Sequence, residues 1–287
     1  MTLARPVGGS ARDEQKSPRS LAHLLTLGRP LVMGVLNVTP DSFSDGGRFL
    51  DPSTAVDQAG RMVAEGADIL DIGAESTRPY GDAVEVPFDE EMQRLAPVLP
   101  AAIALGIPVS IDTMKAKVAA WAVASGAAIV NDVWGLQHDG DIARVVAEHG
   151  VPVIVMHNRI AADPSIDIMA DIAAFFSRSL EIAARAGIPQ QNIVLDPGIG
   201  FGKTPEQSIT AIARLAELKA FGLPLLVGAS RKRFIDKVST APPDQRLGGS
   251  IAAHVLAAAG GAAIIRAHDV AETVQALRVA AAIARAR

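Results

Sequence analysis

From residue 28 onward the chain repeats one hydrophobic pattern. A glycine, often followed by x-Pro, opens a short apolar run, and a stretch with helical spacing comes next. The runs read "GRPLVMGVLN", "GADILDIG", "GIPVSID", "GAAIVND", "GVPVIVMH", "GIPQQNIVLD", "GLPLLVGAS" and "GGAAIIRAH", eight in all. They are rich in Val, Ile and Leu and lack clean alternation, which is the pattern of strands buried on both faces of a parallel sheet. The intervening stretches are Ala-rich and amphipathic; "STAVDQAGRMVAEG" puts Val56, Ala59 and Val63 at helical spacing. Each opening glycine falls where a helix C′ residue takes a left-handed conformation. Parallel strands joined by helices form βαβ crossovers. Eight of them in roughly 250 residues predict an α/β protein, a single closed (β/α)8 TIM barrel. The alternative is an open doubly wound sheet. Residues 1–27 are expected to form a disordered N-terminal tail, and 28–287 one barrel domain without a composition break.

A barrel of this kind carries its active site at the C-terminal ends of its strands. Those ends read Asn37, Asp71 with "GAESTRP", Asp112, Asn131 with Asp132, His157, Asp196, Ser230–Lys232, and Arg266 with His268. The other ends offer Gly, Pro and Ala. Asn and Asp commonly close strands because they begin turns and cap helices. That habit does not explain a rim that also carries Lys, Arg and His. Asp112, Asn131 and Asp196 suit a flat heterocycle bearing N–H donors. Arg266, His268, Arg78 and the "SRK" segment suit a phosphate or diphosphate. One substrate with a heterocyclic end and an anionic end is the simplest reading. The Asn37 amide oxygen is a candidate ligand for Mg²⁺, which shares its shell with water and substrate phosphate.

Composition narrows the classes. Among 287 residues the formal net charge is −4, which gives no basic footprint for nucleic acid, and aromatics at 4% provide few stacking platforms. The chain has no cysteine, so disulfides, thiolate catalysis and Cys-ligated zinc are excluded together, and a cytoplasmic location is expected. No apolar stretch reaches membrane-span length. The first 20 residues lack an apolar h-region and read as a tail rather than a secretion signal.

"PGIGFGKT" (197–204) resembles a phosphate-binding loop, but Pro197 stands where that motif needs Gly, and Lys203 occupies the last Gly position of the dinucleotide pattern. Thr204, Pro205 and Gln207 instead fit the N-cap, N1 and capping-box positions of a helix start. The glycines let backbone or Phe201 approach a ligand closely. The segments 37–50 and 74–87 are longer than the two to six residues usual for such connections. Small, polar and flexible in composition, they are expected to act as a removable cover that excludes water. His23, His138, His149 and His254 read as surface or packing residues.

Taken together, "MGVLNVTPDSFSDGG", "ESTRP", "SIDT", "VND", "MHN", "DPGIGFGK", "ASRKRF", "LGGSIAA" and "IRAHDV" resemble the dihydropteroate synthases, the folate-pathway enzymes that sulfonamides inhibit. The likeness runs from residue 33 to about 271. It implies a transferase that condenses (7,8-dihydropterin-6-yl)methyl diphosphate with 4-aminobenzoate, with Mg²⁺, in a cytoplasmic homodimer with no nucleic-acid or membrane partner. Carried over by position, Asp112, Asn131, Asp196 and Lys232 hold the pterin; Asp112, Asp196 and Lys232 are the catalytic set. Thr77, Arg266 and His268 bind the diphosphate end, Asn37 is the metal-linked residue, and Arg78, Phe201 and Ser230 lie towards the aminobenzoate pocket or the loops. Tyr80, Ala74, Arg233 and Ser208 depart from the pattern, where Gly, Gly, Ser and Asn are expected in turn. A pterin-binding barrel without this chemistry, as in corrinoid methyltransferases, and a Schiff-base aldolase using Lys232 are the alternative functions.

Overall fold

Every one of the eight apolar runs contains a strand in the computed structural model, which describes residues 20–39, 52–75 and 86–286. They are β1 (Leu31–Asn37), β2 (Ile69–Gly73), β3 (Val109–Asp112), β4 (Ile129–Asp132), β5 (Val153–Met156), β6 (Ile193–Asp196), β7 (Leu226–Val227) and β8 (Ile264–Ala267). All pair in parallel in the order β6-β5-β4-β3-β2-β1-β8-β7. A parallel bridge between Leu195 and Leu225 joins β6 to the segment entering β7, so the sheet closes on itself. The open-sheet alternative is thereby excluded. Around the barrel run α1 (Leu21–Leu24), α2 (Pro52–Ala64), α3 (Phe88–Leu95), α4 (Leu99–Ala104), α5 (Ala116–Ala124), α6 (Asp141–His149), α7 (Ile168–Ala186), α8 (Pro205–Ala213), α9 (Arg233–Val238), α10 (Leu247–Gly260) and α11 (Val270–Arg285).

The glycine reading was sound: Gly28, Gly66, Gly106, Gly126, Gly150, Gly187, Gly222 and Gly261, one before each strand, all have positive φ. The side-chain alternation of strands then sorts the barrel interior into tiers. Leu31, Met33, Ile69, Ile129, Ile154, Val194, Leu226 and Ile264 form one buried apolar cluster with Leu21. Two residues further along the same strands, on the same inward parity, stand Asp71, Asn131, Met156, Asp196, Gly228 and Arg266. An apolar floor thus supports a mostly polar upper tier.

Regular structure reaches into the segment expected to be tail. Residues 21–27, assigned to the tail on sequence, are helical, and Leu21 is buried against the floor of the barrel. In α2 the fully buried seam is Ala55, Ala59 and Met62, with Val56 and Val63 flanking it half-buried. Residues 1–19, 40–51 and 76–85, and with them Thr77, Arg78, Tyr80 and most of the two expected covers, lie outside the described residues. No helix among the described residues is long and apolar enough to cross a membrane.

Candidate active site

The upper tier opens into a pocket lined by Asp112, Asn131, Asp196, Phe201, Lys232 and Arg266, with Val133, Met156 and Ile199 as its apolar walls. Gly228, just past β7, also lines the pocket, and a Cβ there would make ordinary van der Waals contact with Arg266, 3.6 Å from its Cβ. Asp112 and Asn131 are neighbours across β3 and β4, and Asp196 sits at the end of β6 beside Met156. Strand-end reading therefore brought together the residues that share this pocket.

Charge is arranged differently from the expected acidic and basic halves. Arg266 stands among the carboxylates: its Nε donates to Asp71 Oδ2 at 2.6 Å and its NH2 group to Asp112 Oδ2 at 2.9 Å. Burial alone would lower the Arg266 guanidinium, but Asp71 and Asp112 hold it raised. Burial and then the Asp71 charge push Asp112 up to about 7, against the pull of Arg266. Asp196 is pushed up to about 6 by burial, opposed by the Gly198 N–H, which donates to its Oδ1 at 2.7 Å, and by the charge of Lys232. Asp112 Oδ1 and Asp71 Oδ1 are buried with no hydrogen-bond partner among the described residues. Asp112 and Asp196, held above the ordinary carboxylate range, are poised to gain from a cation appearing in the pocket.

Phe201 and Lys232 form the mouth. The Lys232 ammonium lies 3.9 Å from the centroid of the Phe201 ring, a cation–π contact that aligns both over the pocket. Lys232 is the N-cap residue of α9, and Arg231 before it holds a left-handed φ of 57°. That conformation is fixed from three sides: Arg231 N–H donates to Ser250 Oγ, Arg246 donates to its carbonyl, and its guanidinium pairs with Asp269. A strained residue held this firmly at a site edge fits a functional constraint. Ser230 accepts from the His268 N–H (3.3 Å) and its Oγ meets His268 Nδ1 at 2.9 Å. Burial and then the nearby Arg266 charge pull His268 down to about 3, so it serves as a neutral hydrogen-bonding group rather than a cation. Asn37, half-buried at the end of β1, pairs in register with Gly73.

Other strand-end residues serve the scaffold. Asp132 accepts from the N–H groups of Trp134 (2.8 Å) and Leu136 (2.6 Å) and so builds the turn after β4. His157 turns from the pocket to Asp171 through Nε2 (2.9 Å) and to Lys203 through Nδ1 (2.6 Å), and burial pulls it down to about 3. His254 is buried between α10 and α11, against Thr273, as a packing residue.

Sequence reasoning missed two residues. Asp71 reads as one more strand end, yet it lies mid-strand, fully buried, with Asn131 and Arg266 donating to it. Its signal was the parity it shares with Ile69 one pleat below. Lys203, set aside with the rejected phosphate motif, is almost fully buried and donates to the carbonyls of Gly198 (2.9 Å) and Phe201 (3.1 Å) as well as to His157. Burial pulls it down to about 7, with Asp196 resisting. It clasps the β6–α8 loop from below. The predicted capping box is present, with Thr204 accepting from Gln207 N–H and the Gln207 side chain returning to Thr204 N–H.

A model of the pterin-binding enzymes matches residues 33–268. The dihydropteroate synthase of Bacillus subtilis is 46% identical over 84% of each chain. The chain belongs to the dihydropteroate synthase family. Solved relatives share its architecture: a Clostridium difficile dihydropteroate synthase crystallised in the presence of pteroic acid superimposes with a TM-score of 0.85 at 47% identity, covering 90% of this chain and 98% of that one. The Xanthomonas albilineans enzyme in complex with 7,8-dihydropteroate gives 0.82 at 42%, covering 90% and 94%. Of the departures from the family pattern, Ala74 is buried with its carbonyl bound by Arg94 at 2.7 Å, and Ser208 is buried with its hydroxyl on Thr204 O at 2.9 Å. Arg233 lines a second cavity that adjoins the first through Lys232.

Proposed function

We propose that the chain condenses (7,8-dihydropterin-6-yl)methyl diphosphate with 4-aminobenzoate, giving 7,8-dihydropteroate and diphosphate. The observation that carries this reading is the pairing of two buried, reluctantly ionised carboxylates, Asp112 and Asp196, in the lining of one pocket. The C–O bond of the substrate methylene breaks and its electron pair leaves with the diphosphate, so positive charge spreads into the dihydropterin ring. Asp112 and Asp196 stabilise that charge more than the ground state, and the aminobenzoate nitrogen then bonds to the methylene and gives up a proton. Asn131 and Lys232 orient the ring. His268, Thr77 and the remaining donors of Arg266 attend the diphosphate end. By the family resemblance, Arg78, Phe201 and Ser230 would serve the aminobenzoate side. The second cavity, between the N-termini of α8 and α9 and bordered by Gly200, Lys232 and Arg233, has about 770 Å³ of open space and suits that acid.

The described residues contain no group of three or more His, Cys, Asp or Glu side chains placed to hold a metal. Asn37 contributes one neutral oxygen, a donor set that fits Mg²⁺ brought by the diphosphate rather than a resident ion. Bound there, Mg²⁺ would neutralise charge on the leaving group. We also propose a homodimer through the last two helices, which expose Leu256, Val279 and Ile283. Leu256→Glu should then give a monomer on sizing with light scattering. The cysteine-free composition suits the reducing cytoplasm in which we place the enzyme. A coupled assay of diphosphate release tests the main reading: release should require both the pterin diphosphate and 4-aminobenzoate, and an inert enzyme with both present sinks it.

A further inference from the structure

Asp71 has no contact with the pocket, yet it decides what one wall of the pocket offers. Its Oδ2 receives two donors, Asn131 Nδ2 at 3.0 Å and Arg266 Nε at 2.6 Å, while its Oδ1 is buried and unpartnered. The Asp71 side chain is fully buried in the middle of β2, so neither oxygen can trade these partners for water. An asparagine amide has two orientations, and at a carboxylate only one is tolerable. A carboxylate oxygen paired with a guanidinium has no proton to give, so it must face the amide N–H₂. The flipped amide would set two acceptor oxygens against each other in a buried place. The consequence reaches the ligand: with Nδ2 committed below, Asn131 Oδ1 has no partner among the described residues in a side chain that lines the pocket. Asp71 also holds Arg266 back, so the guanidinium cannot swing over to satisfy that oxygen itself.

We infer that Asp71 is the specificity-determining positioning residue of this pocket: by locking the Asn131 amide with its carbonyl towards the ligand, it makes the pocket select a ring edge that donates hydrogen bonds over one that accepts them. The inference rests on the pterin reading of the pocket.

The test uses calorimetry on the full chain with 6-hydroxymethyl-7,8-dihydropterin and two analogues, one with the 2-amino group replaced by hydrogen and one methylated at N8, which between them remove donors from both edges. Wild type should prefer the parent compound. Asp71→Leu should lower that preference over at least one analogue about tenfold, the cost of one buried mismatched hydrogen bond. Asp71→Asn keeps an oxygen between the two donors and should hold the preference within about threefold. In an Asn131→Ala background, Asp71→Leu should change it no more than about twofold, because the group it acts through is gone. Unchanged preferences in folded Asp71→Leu, loss of preference in Asp71→Asn, or an equal loss without Asn131 overturns the inference. Should Asp71→Leu fail to fold, the wild-type Asn131 side-chain amide decides. Slow proton exchange at Nδ2 in the free enzyme supports the lock, and exchange as fast as an exposed asparagine refutes it. Failure of wild type to bind any of the three compounds would instead refute the pterin reading, and the exchange measurement would still judge the lock.

Discussion

Asp112 combines the two properties that the chemistry needs, burial and a neighbouring like charge. Replacing it by Asn keeps the shape and removes the charge, so kcat should fall about 10²- to 10³-fold, as for loss of one preorganised electrostatic group. Pterin affinity should fall much less, and equal losses in both would reduce Asp112 to a binding residue. The same side chain leaves a mark on stability. Its folded value of about 7 lies above the ordinary carboxylate range, chiefly through burial and then Asp71. Native protein therefore retains a proton that the unfolded chain has shed. The stabilisation from this group is complete below about pH 4 and is lost as pH rises through about 7. Asp112→Asn does not titrate there, so its stability relative to wild type should improve across that interval. Urea midpoints at about pH 5 and about pH 8 read the difference directly. His157 and His268, both held near 3, act in the opposite sense, with stability present above their unfolded value and lost as pH falls. They are common to both proteins and cancel. A relative stability that stays constant would show that Asp112 does not titrate in this window.

At the scale of elements, the β6–α8 loop is the part most tightly built around the pocket. A Cβ on Gly198, whose φ is +65°, would lie 1.9 Å from the His157 carbonyl oxygen. Gly198→Ala should therefore cost at least about 3 kcal/mol, from strain and displaced backbone together. Lys203→Met leaves the carbonyls of Gly198 and Phe201 without their ammonium, and about 3 kcal/mol is expected from groups that become buried and unpaired. Since Gly198 N–H serves Asp196 and Phe201 covers Lys232, KM for the pterin substrate should rise as well. Thr204→Ala removes the helix cap at the far end of the loop and should cost about 1 kcal/mol, with KM for the pterin substrate unchanged. Denaturant titration paired with steady-state kinetics separates the three. A Lys203→Met enzyme with wild-type KM would make the clasp a matter of folding alone.

The molecule as a whole separates stability from chemistry along the barrel axis. Leu21, on the short α1, closes the apolar floor beneath Leu31, Met33 and Ile264, at the end away from the pocket. Leu21→Ala should lower stability by about 2–3 kcal/mol through lost burial and the cavity left behind. Turnover should be unchanged, because the polar tier stands on strands that hydrogen bonding still holds. Thermal unfolding and turnover on the same preparation check this, and a fall in kcat would mean that the floor transmits its packing to the site.

Local periodicity was enough for the frame. A positive-φ glycine before each strand, apolar runs too short for helices and the Thr204 capping box depend on neighbours a few residues away, so they can be read in order along the chain. Strand-end position likewise brought Asp112, Asn131 and Asp196 to one pocket, because alternation carries the parity of the apolar floor up to the rim. What the sequence could not decide is which charge meets which. Arg266 finds Asp71 at a separation of 195 residues and Asp112 at 154, since barrel closure sets β8 beside β1 and the guanidinium reaches across the interior. His157 and Lys203, alike polar and near strand ends, are drawn under a loop by each other. Composition and spacing determined a barrel with a polar rim. Closure of the sheet decided the partners, because ion pairs and hydrogen bonds form between groups that are near in space, whatever their distance along the chain.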